Sequence, residues 1–430
     1  MNNPLRVGVA GLGTVGAGVL KVLGSHRDLL AKRCGRRIEV VAVSARRRNL
    51  DRGVDLSGVR WHDDAVQLAA DGDLDVVVEL IGGADGIAKR LADATFASGK
   101  AFVTANKALI ARHGNELAKA AERAGVALNF EAAVAGGIPV IKALREGLAA
   151  NRLTRVYGIL NGTCNYILTD MERSGRNFDD VLLEAQELGY AEADPSFDID
   201  GIDTAHKLAI LAAVAFGTRV NFEAIHTEGV SHLCAEDIEY AEELGYRIKL
   251  LGIARLTETG LEQRVHPCMV RADAPIAQVD GVFNAVVAQG DFADQTVFEG
   301  RGAGEGPTAS AVVADLVDIA RGLRAPAFSV PAANLEDMPA SPMERHVGAY
   351  YVRLKVVDRP GVIADISAVL RDEQVSMEAL IQRGRAPDEV VSVVLTVHDC
   401  QEAAMQRALK RIAAIETVTE TPAMLRIEQF

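Results

Sequence analysis

Chemistry in this 430-residue chain gathers between Ala185 and Lys207, a stretch that reads AQELGYAEADPSFDIDGIDTAHK. Glu192, Asp194, Asp198, Asp200 and Asp203 crowd a short loop, and Asp203 and Lys207 stand four apart, so on a helix they share one face. The run that follows, LAILAAVAF, is apolar on every side. Such a helix is buried, and it places a lysine where its charge is costly. Two uses fit this pattern: an amine poised for proton transfer near neutral pH, or a lysine that snorkels outward and pairs with Asp203 as an ordinary salt bridge.

Further groups stand at the ends of apolar runs. Leu5 to Ala10 reads as a strand, and Gly11, Gly13 and Gly16 follow it in GLGTVG, with Thr14 and Val15 between, before a helical pattern begins. That context fits a dinucleotide pyrophosphate at a helix N-terminus, or else a glycine-rich turn that binds nothing. The next strand, Ile38 to Ser44, ends without the acid that would hold the ribose of NAD. Arg46, Arg47 and Arg48 stand there instead, suited to the 2′-phosphate of NADP through Arg46, or simply a solvated basic loop. Thr104-Ala105-Asn106-Lys107 sets an amide and an ammonium at another strand end, where doubly wound sheets bind ligands. Glu131 to Val140, EAAVAGGIPV, can be a strand–helix hinge or a hard-cation loop. Gly302 to Thr308, which includes Gly306, opens a helix and offers a second anion or dipole site. Cys164 has no histidine beside it and reads as a packing thiol. His232, His266 and His398 each precede a cysteine by two positions, but each pair lacks two further metal ligands.

The elements that must position these groups divide the chain. Strand and helix patterns alternate over residues 1–143, which predicts a Rossmann-type doubly wound parallel sheet, completed by a helix at 308–322. Residues 144–324 read as an α+β catalytic and dimerisation domain, and the proline-bearing stretch 325–348 as a linker. Residues 349–430 spell a ferredoxin-like βαββαβ module whose small sheet exposes edges for pairing with another copy. A net charge of −13 argues against nucleic acid or an anionic membrane surface as partner. The N-terminus lacks the regions of a secretory signal, so a cytoplasmic location is expected.

Together these stretches resemble the homoserine dehydrogenase family in its longer form, with a C-terminal ACT domain. Ala185, Gly189, Asp194, Pro195, Asp198, Gly201, Asp203 and Lys207 fall at the spacing of the family signature, and TANKALIA, FEAAVAGGIPVI, GILNGTCNYIL and GEGPTASAVVADL extend the match over nearly the whole chain. The resemblance implies reversible NAD(P)H-dependent reduction of aspartate 4-semialdehyde to homoserine. It implies Lys207 as the acid/base lysine, Glu192 and Asp198 at the substrate, Asp203 supporting the lysine and the substrate amine, and Lys107 near substrate and nicotinamide. It also implies a sodium ion at Glu131, Val134, Gly136 and Ile138. The DRPGVIA turn, with Asp358, Pro360 and Gly361, would bind an amino-acid effector, threonine by analogy, in a homodimer or homotetramer. Removing residues from about Arg345 onward should then leave an active core insensitive to threonine. The competing readings are another amino-acid oxidoreductase and a non-catalytic amino-acid sensor.

Overall fold

Short apolar runs that alternate with single crossover helices pair as parallel strands, and the N-terminal part of the chain does so. The computed structural model describes residues 3–383 and 387–430. Strands β1 (Leu5–Ala10), β2 (Ile38–Ser44), β3 (Arg60–His62), β4 (Val76–Glu79), β5 (Ala101–Thr104) and β6 (Leu128–Asn129) form a six-stranded sheet. Its order is β3-β2-β1-β4-β5-β6, parallel throughout. The order reverses between β1 and β4, which opens a crevice at the carboxyl edge of the sheet. The helix Glu305–Ala320 returns to this layer, packing Ala309, Val312 and Leu316 into one core with Val7, Val9, Val76 and Val78. It starts three residues earlier than the sequence pattern suggests, because Gly304 lies in a left-handed conformation (φ 115°) and fixes the entry.

A second sheet carries the rest. Its strands are β7 (Leu153–Ile159), β8 (His226–Thr227), β9 (Tyr246–Thr257), β10 (Gly260–Arg271), β11 (Phe283–Gly290), β12 (Gln295–Arg301), β13 (Val347–Val357), β14 (Met377–Gln382), β15 (Val390–Gln401) and β16 (Ala423–Glu428). The order is β12-β11-β7-β9-β10-β16-β13-β15-β14, with β8 also on β10. The helix Ile202–Phe216 buries Leu208 to Val214 almost completely in the core beneath this sheet, as its all-round apolar sequence requires.

The C-terminal module has the expected βαββαβ order, but its sheet does not stand apart. β16 pairs in parallel with β10 through Cys268–Arg426, Met269–Ile427 and Val270–Glu428, so one sheet runs through both parts and one of the small sheet's edges is covered within the chain. Charges are buried at the seam. On one face of β10, alternate residues Glu262, Arg264 and His266 are 5% exposed or less. Arg264 Nε donates to Glu262 at 2.9 Å, and its two terminal nitrogens donate to Glu428 of β16. Arg426 donates to both carboxylate oxygens of Glu228 at 2.9 Å and to Glu402 at 2.7 and 3.0 Å. Removing one partner of such a buried pair costs about 3–5 kcal/mol. Truncation from Arg345 would therefore strip Arg264 of Glu428 and bare the β10 edge, which weighs against an intact core after the cut.

Residues 325–348 likewise are not a free tether. The Ala332 N–H donates to the Glu122 carboxylate, Glu336 bridges Thr218, Ala340 bridges Leu261, and buried His346 faces Glu262 at 3.4 Å. His266, Cys268 and Glu428 converge within 4.8 Å of one another. Arg264, 2.7 Å from His266 Nε2 and bonded to Glu428, fills that cluster with a cation of the protein's own. No helix among the described residues is long and apolar enough to cross a membrane.

Candidate active site

The glycines after β1 divide the work of a phosphate loop. Gly11 has φ +97°, and a Cβ there would lie 2.5 Å from the Leu80 carbonyl oxygen. A Cβ at Gly16 would lie 2.1 Å from the Gly11 carbonyl oxygen, whereas one at Gly13 would meet nothing within 4 Å. Two glycines therefore serve close packing, and Gly13 leaves the space where an anion can approach the helix Thr14–Ser25, which no side chain caps. Gly11 N–H donates to the Ser44 carbonyl, tying this loop to the end of β2, where Arg46, Arg47 and Arg48 are all exposed. The N-terminus of the Glu305–Ala320 helix, with Gly306 in its first turn, docks alongside: Lys21 pairs with Glu305 at 2.6 Å.

Farther along the same edge, buried Glu79 at the end of β4 accepts hydrogen bonds from Ile81 N–H, Gly82 N–H and the Thr104 hydroxyl. Asn106 donates to the Gly83 carbonyl and caps the helix Lys107–Ala124 through Leu109 N–H. These bonds lock the loops after β4 and β5 together and fix Lys107 as the first residue of its helix.

Lys107 meets the second layer at Asp203. Asp203 is 4% exposed; its Oδ1 lies 3.1 Å from Lys107 Nζ and its Oδ2 2.7 Å from Lys207 Nζ. Lys207 also donates to the Leu160 carbonyl at 2.6 Å, so its ammonium points inward, toward the end of β7, rather than snorkelling to solvent. The Asn161 amide donates to both Asp203 and Asp198 at 2.8 Å. Burial alone would raise the Asp203 carboxyl, but the two ammonium charges and the hydrogen bonds from Lys207 and Asn161 hold it well below the usual carboxylate range. Burial, with the Asp203 charge adding to it, pushes the Asp198 carboxyl up. An aromatic wall closes one side: Phe197 lies 5.5 Å from Lys107 Nζ and 5.6 Å from the His206 ring, which stacks on Phe222 at 4.3 Å. A carboxylate that stays ionised between two lysines can hold one of them as a proton donor toward a bound carbonyl oxygen.

The comparisons with known proteins bear on the same residues. The family model described as Homoserine dehydrogenase matches residues 139–317, that of the Homoserine dehydrogenase NAD binding domain residues 11–131, and the ACT domain residues 350–417. A homoserine dehydrogenase from Pseudomonas aeruginosa is 47% identical over 99% of both chains. The chain belongs to the homoserine dehydrogenase family. Its activity is the nicotinamide-dependent interconversion of homoserine and aspartate 4-semialdehyde. A crystal structure of a homoserine dehydrogenase from Thiobacillus denitrificans superposes with a TM-score of 0.94 at 48% identity, covering 99% of this chain and 98% of that one. A hyperthermophilic archaeal homoserine dehydrogenase in complex with NADPH has a TM-score of 0.63 at 25% identity, covering 74% of this chain and 98% of that one.

Within this family member the structure brings Lys107, Asp198, Asp203 and Lys207 together. Glu192 is exposed, and its carboxylate has no partner among the described residues; only its main-chain carbonyl is bonded, to Gln186. Cys164 is a packing thiol as expected: it is buried, it faces the Asp198 carbonyl, and burial, then Asp198, pushes its pKa far up. Sequence reasoning passed over Asn161 and Glu79. Asn161 announces itself only as an N-cap residue before Cys164, and Glu79 only as an acid closing an apolar strand.

Proposed function

We propose that Lys207 is the proton-handling group of the homoserine reaction, with Asp203 holding it and Lys107 orienting substrate, and that NADP is the preferred cofactor. The observation that carries this reading is the buried Asp203 carboxylate bound to both lysines at 3.1 and 2.7 Å. Bound nicotinamide supplies or accepts the hydride. Lys207 as ammonium stabilises and protonates the oxygen of aspartate 4-semialdehyde as it becomes an alkoxide, and in the reverse direction the neutral amine takes the hydroxyl proton. Asp198 beside Asp203, and Glu192 on the exposed loop that precedes it, suit the substrate's α-amino group. Arg46 at the end of β2 suits a 2′-phosphate, in keeping with the NADPH of the archaeal relative.

A sodium ion fits the loop Glu131–Ile138. Both carboxylate oxygens of Glu131 already accept N–H bonds from Ile141 and Lys142, so the residue would contribute its main-chain carbonyl. Ala135 and Gly136 are both left-handed, with φ of 52° and 43°, and the buried carbonyls of Val134 and Gly136 accept no hydrogen bond among the described residues. Orphaned carbonyls of this kind, joined by those of Glu131 and Ile138, which each accept one N–H bond and keep a second lone pair, are a suitable donor set for a hard cation.

Regulation is assigned to the turn Asp358-Arg359-Pro360-Gly361. Gly361 has φ +100° and open space around it, and it starts the helix Val362–Asp372, so its neighbourhood can take the carboxylate of an amino acid such as threonine. β14 remains the outer strand of the sheet, available to a second copy in a homodimer or homotetramer.

The central reading is tested with Asp203→Asn, which keeps the shape and removes the charge. Its initial rate of NADP reduction by homoserine should fall by about 10²- to 10⁴-fold, and a wild-type kcat would refute it.

A further inference from the structure

The basic loop after β2 is held by one side chain. All three guanidinium nitrogens of Arg52 donate to main-chain carbonyls: Nε to Leu12 at 2.9 Å, Nη1 to Leu50 at 2.7 Å, and Nη2 to Arg47. The same guanidinium lies over Trp61 of β3, 5.7 Å from the ring centroid, and Arg48 lies over that ring at 5.8 Å. Leu12 stands between Gly11 and Gly13 in the phosphate loop, whereas Leu50 and Arg47 belong to the arginine loop. One cation thus ties together two loops that would meet different parts of a dinucleotide.

We propose that Arg52 is the positioning residue that makes these loops a single cradle, so that binding of the pyrophosphate and of the adenosine-side phosphate depend on it together. The step from contact to function is geometric. A planar peptide carries its C=O and N–H in opposite directions. With the Leu12 carbonyl held on Arg52, the Gly13 N–H is turned away from Arg52, and it donates to no group among the described residues. It is left free for an anion, and a Cβ at Gly13 would meet nothing within 4 Å, so no neighbour crowds that glycine. Glycine on one side of that peptide makes a flip cheap, so a lock has something to prevent. Arg52 acts through the loops and not as a phosphate ligand itself, because three of the five N–H donors of a guanidinium are engaged in holding backbone. Arg46, Arg47 and Arg48 keep exposed side chains on a loop whose path Arg52 sets.

The proposal rests on the NADP reading only where NADP is the probe; its NADH arm is independent of that reading. Reduced-nicotinamide fluorescence is followed while NADPH or NADH is titrated into the full-length wild type, Arg52→Ala, Arg52→Gln, Arg52→Lys and Arg46→Ala. Arg52→Ala should weaken both cofactors by about 10- to 100-fold, the loss of several charge-assisted hydrogen bonds, while kcat at saturating cofactor stays near wild type. Arg52→Lys should remain weak, since a single ammonium cannot span three carbonyls, and Arg46→Ala should weaken NADPH alone. Arg52→Gln, which keeps a short donor, carries the same comparison if the alanine variant does not fold. NADH affinity within about twofold of wild type in Arg52→Ala and Arg52→Gln, or full recovery in Arg52→Lys, would overturn the lock. If Arg46→Ala spares NADPH while Arg52→Ala weakens NADH, the NADP assignment fails and the role of Arg52 stands.

Discussion

Replacing Lys207 with alanine separates proton transfer from folding and from cofactor binding. In the native site Lys207 Nζ donates to Asp203 at 2.7 Å and to the Leu160 carbonyl at 2.6 Å, and its side chain is 12% exposed. After the substitution Asp203 keeps Lys107 at 3.1 Å on one oxygen and Asn161 at 2.8 Å on the other, so no buried charge is orphaned. The structural loss is two hydrogen bonds from a charged donor, about 1.5–3 kcal/mol each as an upper bound, which a melting curve of the variant measures separately. The catalytic loss is of similar size but falls on the rate. General acid–base catalysis contributes about 10²- to 10⁴-fold, equivalent to about 3–5 kcal/mol of barrier at about 1.4 kcal/mol per tenfold. The assay is the initial rate of NADP reduction against homoserine concentration, with cofactor affinity measured separately by fluorescence. kcat should fall by that factor while cofactor affinity holds, because the glycine loop lies on another element. Lys207→Arg should be nearly as slow, since a guanidinium does not release a proton, and an added small primary amine should restore part of the alanine variant's rate. If kcat of the alanine variant stays within about tenfold of wild type, or if only cofactor affinity changes, proton transfer by Lys207 is refuted.

Four further outcomes follow from the same geometry. Arg46→Ala should raise KM for NADP at least about tenfold and leave KM for NAD unchanged; an equal change in both would move the 2′-phosphate contact elsewhere. Truncation from Arg345 should give a protein that melts well below the full chain or fails to fold, because it removes Glu428 from Arg264 and uncovers β10; a soluble core with wild-type Tm would refute the seam's importance. Threonine regulation is better tested in the intact chain, where Gly361→Val, forced into φ +100°, should abolish inhibition while sparing uninhibited turnover. Stability should also depend on Glu228: burial alone would raise its carboxyl, but bonds from His226 and Arg426 hold it at about 2, against an ordinary 4.5. A carboxyl with a depressed folded-state pKa stabilises above 4.5, and that contribution is lost as pH falls from there toward 2. Glu228→Gln should therefore show a shallower fall of Tm over that window, and an unchanged slope would exclude the pair as a source of acid sensitivity.

Much of the site was legible in the chain because its signals are local. Gly11, Gly13 and Gly16 after an apolar strand mark a phosphate loop through short-range sterics, and the i, i+4 spacing of Asp203 and Lys207 is a property of one helix. The alternation of strands and helices likewise predicts a parallel sheet, since only crossover helices can connect parallel neighbours. Spacing could not decide which way Lys207 points. The Leu160 carbonyl, more than forty positions upstream, draws the ammonium inward, Asn161 beside it donates to Asp203, and Lys107, ninety-six positions before Asp203, supplies the second charge that keeps the carboxylate ionised. The seam between the modules was the least legible feature. Glu262, Arg264 and His266 alternate with Leu261, Gln263, Val265 and Pro267, a mostly apolar set that by itself describes a strand with one wet face. That face is dry because β16, from the far end of the chain, lays Glu428 against Arg264, and Arg426 reaches back to Glu228. Burial of a charge is decided by a partner distant in sequence, and the residues on either side of the charge carry no trace of that partner.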